Sequence, residues 1–194
     1  MGENMDKKPL DRLNDVAFIT FTYNNDDIIN SLIDDTLPIF KTIVVGDIGS
    51  TDTTLRRLSE YKSKITLIQG LSPLHLGNAK NQCLQTIQEK WILYFNPYME
   101  LTKRFFLQLP ILSNVETYDI YSFRCVLPDD SIKRHYALFR SYCRFIGACG
   151  ERLVGYRGEY FCSNDTPIID KSPDSYINRI NKLKNLIAEG NPND

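Results

Sequence analysis

The stretch 43–54, Ile-Val-Val-Gly-Asp-Ile-Gly-Ser-Thr-Asp-Thr-Thr, constrains the fold of this chain more than any other. Ile43, Val44 and Val45 form a short β-branched run of the kind that fills a central parallel strand covered on both faces. The run stops at a carboxylate, Asp47, turns through Gly49, and enters a helix for which Ser50 or Thr51 is the expected cap. Glycine gives the turn its backbone freedom, and Ser, Thr and Asp satisfy the orphan amides of a helix start. A strand–turn–helix of this type sets Asp47 at the carboxyl edge of an open sheet, where ligands bind. The same residues would also make an ordinary βα turn with no ligand.

Short apolar runs and helical periodicities alternate through the rest of the first hundred residues. Residues 16–22 read as a buried first strand, followed by the turn Tyr23-Asn24-Asn25-Asp26. Ile28, Ile29, Leu32 and Ile33 share one helical face, and Pro38 ends that helix. Residues 41–46 are the second strand, Leu55, Leu58 and Tyr61 mark the next helix, and 64–70 are the third strand. After a Pro/Gly loop over 71–77, residues 78–89 predict a helix with Ala79, Cys83, Leu84 and Ile87 inward. The fourth strand, 91–95, ends at Asn96-Pro97. Strict alternation predicts a parallel sheet with right-handed crossovers.

Beyond Asn96 the pattern turns mixed. A short helix over 103–113 contains Pro110, and strands at 118–127 and 133–140 flank Pro128-Asp129-Asp130. Residues 144–153 read as irregular, with short strands near 156–161 and 167–169. Tyr176, Ile177, Ile180, Leu183, Leu186 and Ile187 stand at helical spacing and predict an amphipathic last helix.

With 194 residues the chain suffices for one well-buried domain. A formal net charge of −1 gives no general affinity for polyanions, so no nucleic acid partner is expected. No apolar run approaches the roughly 20 residues of a membrane span, and the polar start is not a secretion signal. Cys83, Cys125, Cys143, Cys149 and Cys162 are odd in number and form no CxxC pair. They read as reduced thiols of a cytoplasmic protein.

Four segments then line up in order: Thr22-Tyr23-Asn24; Val44-Val45-Gly46-Asp47-Ile48-Gly49-Ser50-Thr51-Asp52; Gly77-Asn78-Ala79-Lys80-Asn81; and the stretch from Trp91 through Asn96-Pro97-Tyr98-Met99-Glu100-Leu101. Together they resemble the nucleotide-sugar half of the family 2 glycosyltransferases, which have the A-type glycosyltransferase fold. A fifth segment, Ala137-Leu138-Phe139-Arg140 with Phe145-Ile146-Gly147 and Glu151, is similar to bacterial members related to lipopolysaccharide-core sugar transferases. The resemblance covers residues 15–155. It implies a single-domain, Rossmann-like α/β fold with a mostly parallel central sheet flanked by helices and a smaller mixed second half. The expected divisions are a flexible lead-in (1–14), a nucleotide-sugar-binding half (15–101), an acceptor-side half (102–171), an amphipathic helix (172–190) and a tail (191–194).

Carried onto this sequence, the resemblance sets Thr22, Tyr23 and Asn24 beside the nucleotide. Asp47, with Gly49 and Ser50 next to it, matches the family aspartate that contacts the base or ribose. A carboxylate suits that task because it accepts hydrogen bonds from uracil N–H or ribose hydroxyls, which favours a UDP-type donor. Lys80 and Asn81 match a basic-Asn pair that opens the helix before the fourth strand; an exposed helix face would look the same.

The family's fourth strand ends in Asp-x-Asp, which binds a divalent metal at the diphosphate, whereas this chain has Asn96 and Tyr98. Asn offers one neutral oxygen, and Tyr is no ligand for a hard cation near neutral pH. Glu100 falls outside the motif, and Gly150 stands where related members often carry His before the glutamate. No Mn or Mg cofactor is therefore expected. A metal at a departing diphosphate contributes several kcal/mol, and one Lys or Arg contact roughly 1.5–3 kcal/mol, so a few converging cations would substitute. Lys80, Arg140 and Arg144 are the phosphate-side candidates, while Lys133 and Arg134 read as solvated.

The carboxylate that takes the acceptor proton is expected at Glu151, with Asp129 and Asp130 behind it. His75 and His135 lie away from every motif and read as structural or surface residues. Two functions compete: a metal-independent, inverting glycosyltransferase acting on an unknown acceptor, and a catalytically inactive relative that binds nucleotide and serves a protein partner. An unrelated nucleotide-binding α/β module remains if the resemblance is accidental. The exposed face of the last helix leaves room for a homodimer.

Overall fold

The computed structural model describes residues 13–100, 102–147, 152–162, 168–174, 178 and 185. In chain order the elements are β1 (Val16–Thr22), α1 (Ile29–Thr36), β2 (Ile43–Asp47), α2 (Thr54–Ser59) and β3 (Thr66–Ile68). A 3-10 turn (Pro73–His75) leads into α3 (Leu76–Leu84), followed by β4 (Trp91–Tyr94), β5 (Met99–Glu100) and α4 (Lys103–Asn114). The second half contributes β6 (Ile120–Val126), β7 (Ile132–Arg140), β8 (Arg144–Ile146), β9 (Arg152–Val154), β10 (Glu159–Cys162) and β11 (Ile168–Asp170).

Among the described residues, nine strands form one sheet in the order β3-β2-β1-β4-β7-β6-β11-β5, with β10 also on β6. The first four run parallel, and β7 then enters antiparallel to both β4 and β6. One sheet thus runs through both halves. Every residue of β1 and β2 is buried, because helices cover both faces.

Alternation along the strands sorts the core into two layers. Phe18, Val45, Leu93 and Phe95 pack with Ile29 and Ile33 of α1, Leu58 of α2, and Phe105 and Leu109 of α4. Ile19, Phe21, Val44 and Ile92 pack with Ala79, Cys83 and Leu84 of α3 and with Phe145 and Leu153 of β8 and β9. Each Val, Leu, Ile or Phe side chain among them gains about 1.5–3 kcal/mol from leaving water. Gly46 lets the second layer close: a Cβ there would stand 2.7 Å from the Phe21 ring and 2.8 Å from Cys83 Sγ.

Several boundaries differ from the sequence expectation. Helix α3 starts two residues early and stops at Leu84, where Thr86 turns back to donate both its amide and its hydroxyl to the Cys83 carbonyl, at 3.2 and 2.8 Å. Residues 144–146 and 152–154 are not irregular but pair antiparallel, Phe145 opposite Leu153. Each places one buried residue between partly or fully exposed neighbours, too short a run for alternation to register. The two-residue β5 escapes for the same reason. Asp174, Asn178 and Asn185 are helical and exposed, while Tyr176, Ile177, Ile180, Leu183, Leu186 and Ile187 lie outside the described residues. Among the described residues no helix is long and apolar enough to cross a membrane.

Candidate functional site

Thr22 and Asp47 are register partners at the last rung of β1 and β2. The chain leaves both strands there, and side chains tie the two exits together. Asp47 is only 2% exposed. Its carboxylate accepts the amides of Gly49 (3.1 Å) and Ser50 (3.1 and 3.3 Å), with Gly49 at φ 100° to let the loop fold back. Asn24 sits at φ 55°, and its Oδ1 accepts the amides of Thr51 (2.7 Å) and Asp52 (3.3 Å) while its own amide donates to Ser50 Oγ at 3.0 Å. Fully buried Asn25 accepts the Thr22 hydroxyl (3.0 Å) and the Tyr23 amide (2.8 Å), and donates its amide to Thr54 Oγ1 (2.8 Å).

The helix starts two to three residues later than the sequence suggested, with Thr53 at the cap position. Neither Ser50 nor Thr51 caps α2; the Thr54 amide donates to Asp52 Oδ1 at 2.9 Å. Burial pushes the Asp52 carboxyl up, but hydrogen bonds from Thr54 and Asp26 outweigh it and hold the group below the usual carboxylate range.

Helix α3 brings the next group. The Gly77 amide donates to the Gly147 carbonyl at 3.2 Å, and a Cβ on Gly77 would meet that oxygen at 2.6 Å. Asn81 hydrogen-bonds the Phe145 backbone in both directions, each at 2.8 Å. These contacts press β8 onto α3 and bring the Phe145 ring edge-on to Tyr94. Lys80, one residue before Asn81, holds its ammonium 4.8 Å from the Tyr94 ring centroid, 4.9 Å from Phe145 and 5.7 Å from Phe21. Ring faces attract a cation electrostatically, so the charge is held at the carboxyl ends of β1 and β4.

Just beyond, Asn96 Oδ1 accepts the Tyr98 amide at 2.9 Å, and the Tyr98 hydroxyl donates to the Asp27 carboxylate at 2.8 Å. Tyr98 thereby becomes a wall of a cavity of about 610 Å³ beside α1, shared with Leu32, Phe95, Met99 and Phe106. Glu100 pairs with Lys171. Mg and Ca sites are built from several oxygen ligands, carboxylates foremost. Asn96 offers one neutral oxygen already holding an amide, the Tyr98 hydroxyl is turned to Asp27, and no group of three or more His, Cys, Asp or Glu gathers among the described residues. These side chains do not fit a divalent ion.

Of the three phosphate-side candidates, only Lys80 stands at this edge. Because β7 runs antiparallel to β4, Arg140 lies opposite Trp91, at the start of β4. It is buried there, 3.9 Å from the Trp91 ring centroid and 3.9 Å from Asp119. Three residues of strand, about 10 Å, separate it from Tyr94. Arg144 is exposed and donates to the carbonyls of Ser141 (2.7 Å) and Cys143 (2.8 Å), closing its own turn. Lys133 and Arg134 are half-exposed but paired, with Asp170 at 3.7 Å and Glu159 at 3.1 Å. Glu151 and Gly150 lie outside the described residues. Asp129 accepts the amide and hydroxyl of Ser131 in an exposed turn, where Asp130 takes φ 61°. His75 precedes α3 and is exposed. The described cysteines are free, and burial pushes Cys83 up to about 12 and Cys125, Cys143 and Cys162 up to about 11, which makes them poor nucleophiles.

His135, read from the sequence as a structural or surface residue, lies at the end of β4. Its Nε2 lies 3.0 Å from the Tyr94 carbonyl oxygen, and its ring packs 5.7 Å from Tyr94 and 5.5 Å from Phe95. Pairing 133–140 antiparallel against 91–95 would have pointed to it, but the motifs offered no reason to align those two strands.

No family model and no curated protein matches the sequence. Solved structures resemble the fold. The S. aureus TarS crystal structure is 13% identical with a TM-score of 0.64, covering 93% of this chain and 40% of TarS. The TarS 1–349 structure is 14% identical with a TM-score of 0.64, covering 93% of this chain and 66% of that one. Its complex with UDP-GlcNAc is 14% identical with a TM-score of 0.63, covering 93% and 67%. This chain therefore spans well under half of the longest of these structures. The strand order, the helices on both sheet faces and these superpositions agree on one architecture: the chain has the A-type glycosyltransferase fold.

Proposed function

We propose that this chain binds a nucleotide-sugar at the carboxyl ends of β1, β2 and β4 and transfers its sugar without a divalent metal. The observation that carries this is the Lys80 ammonium, held over Tyr94, Phe145 and Phe21 at the edge where the Thr22 and Asp47 loops emerge. UDP-GlcNAc and UDP complexes of TarS support a nucleotide-sugar as ligand, with a UDP-type donor favoured. Tyr23, Asn24, Gly49 and Ser50 form the nucleoside side; Thr22 and Asp47, expected from the sequence to touch the nucleotide, are buried behind them and hold their loops in place, and Asn96 and Tyr98 form the far border. Residues 15–101 carry the donor, and 102–171 face an acceptor whose identity is open, in a cytoplasmic protein.

A fixed cation beside a departing diphosphate stabilises the negative charge that grows as the glycosidic bond breaks. Transfer with inversion also needs a carboxylate to take the acceptor proton, and Glu151 is the candidate by sequence position. One lysine supplies roughly 1.5–3 kcal/mol where a metal supplies several, so turnover is slow compared with metal-dependent relatives. The Asn96–Tyr98–Asp27 chain of hydrogen bonds favours a second reading, in which nucleotide binds but no transfer follows and the protein serves a partner.

A thermal-shift screen of UDP, GDP and their sugars, in chelator and in manganese, combined with assay of released nucleoside diphosphate, separates these. A shift with UDP-type ligands in chelator plus slow release supports transfer. A shift without release across a broad acceptor panel supports the non-catalytic reading, and no shift with any nucleotide defeats both.

A further inference from the structure

The pairing of β4 with β7 runs from Trp91↔Arg140 to Leu93↔Leu138. On its other side, β7 pairs Leu138 with Tyr121 and then Tyr136 with Ser122, so Ala137 is an extra residue in the ladder. A bulge of this kind bends its strand and re-aims the neighbouring side chains. Beyond it, the next carbonyl of β4, that of Tyr94, is met not by β7 backbone but by the His135 side chain, with Nε2 at 3.0 Å. A carbonyl only accepts, so Nε2 carries the proton. Burial pushes the imidazole down to about 4, Lys133 and Lys80 disfavour its charge as well, and the Tyr94 hydrogen bond and Asp170 oppose them only in part. The ring is neutral at pH 7, and its proton is committed to the Tyr94 carbonyl.

Tyr94 is therefore held at two points. His135 ties its carbonyl and packs 5.7 Å from its ring, while Lys80 rests 4.8 Å from the same ring. We infer that His135 is a positioning residue for the donor site: by fixing the end of β4 and the Tyr94 ring, it sets where Lys80 presents its ammonium. Its consequence for ligand binding rests on the proposal that Lys80 meets the donor diphosphate; its consequence for Lys80 does not.

The test follows the ε-methylene resonance of Lys80 in protein labelled with 13C-lysine and assigned with Lys80→Arg. Ring currents from the surrounding aromatic rings displace this signal upfield in the wild type. His135→Leu, which cannot donate, returns it at least halfway to the free-lysine position, whereas His135→Gln, which keeps an N–H donor of similar reach, preserves it. In parallel, His135→Leu weakens UDP binding about tenfold and His135→Gln leaves it within about threefold. An unchanged Lys80 signal in His135→Leu overturns the inference, as does a Gln variant displaced as far as the Leu variant. Where the Leu variant does not fold, His135→Phe, which keeps a ring but cannot donate, replaces it under the same criteria: signal displaced supports the positioning role, signal unchanged overturns it. A wild type that shows the upfield signal but binds no UDP defeats donor binding while leaving the His135–Lys80 linkage standing.

Discussion

Asn81 and Phe145 exchange a reciprocal pair of hydrogen bonds, side-chain amide to backbone, each 2.8 Å long. That pair locks β8 against α3, and with it the Phe145 ring against the Lys80 ammonium at 4.9 Å. The residue that holds the site together is thus the sequence neighbour of the residue proposed to act in it. Asn81→Ala leaves the Phe145 amide and carbonyl without their partner and costs about 1–3 kcal/mol of stability, read by urea unfolding. It also loosens the Lys80 cradle, so UDP affinity falls even where the fold survives.

Gly77→Ala tests the same docking from the other side. Its methyl group would meet the Gly147 carbonyl oxygen at 2.6 Å, a backbone atom and not the end of a flexible side chain that could yield. Overpacking of this sort costs about 1–3 kcal/mol, so the variant unfolds at lower denaturant with an unchanged slope.

The loop lock at the other edge of the site depends on Asn24, which combines φ 55° with a side chain that accepts the Thr51 and Asp52 amides. Asn24→Ala loses both features, while Asn24→Gly restores the backbone freedom and not the acceptor. Stability therefore ranks wild type, then Gly, then Ala, with the Ala variant down by about 1–3 kcal/mol in thermal unfolding.

Much of this was legible in the chain. The apolar runs within 16–22 and at 43–45 foretold buried strands, and the Asp47-x-Gly49-Ser50 turn foretold the carboxyl edge. Lys80 and Asn81 were singled out by their place in an ordered motif set, and both lie where α3 meets Phe145. What stayed hidden depends on contacts remote in sequence. Arg140 belongs to a resembling segment, yet the antiparallel entry of β7 carries it to the start of β4, away from Lys80 and onto Trp91 and Asp119. The same entry brings His135 to the end of β4 beside Tyr94, helped by a one-residue bulge that no local pattern announces.

Acid stability reports on two of these groups with opposite placement and the same sign. Burial lowers His135 to about 4, so between pH 6.5 and 4 the unfolded chain takes up a proton that the folded chain refuses. Stability is full above that window and falls through it by up to about 3 kcal/mol. Burial alone would raise Asp119, but hydrogen bonds from Tyr142 and Arg157 and the Arg157 charge lower it to about 2. Its contribution is present above pH 3.8 and is lost as pH falls toward 2. Urea unfolding at pH 7, 5.5 and 4.5 should show the first decline, and His135→Gln should flatten it.

The central claim is a cation, not a metal, at the donor diphosphate. Calorimetric titration of UDP into wild type and Lys80→Met, each in excess chelator and then in manganese, tests it most directly. The account predicts that wild type binds equally well in both buffers and that Lys80→Met loses about 10- to 100-fold in affinity, the equivalent of one charge-assisted contact. Binding that appears only with manganese, or that survives undiminished in Lys80→Met, would contradict it.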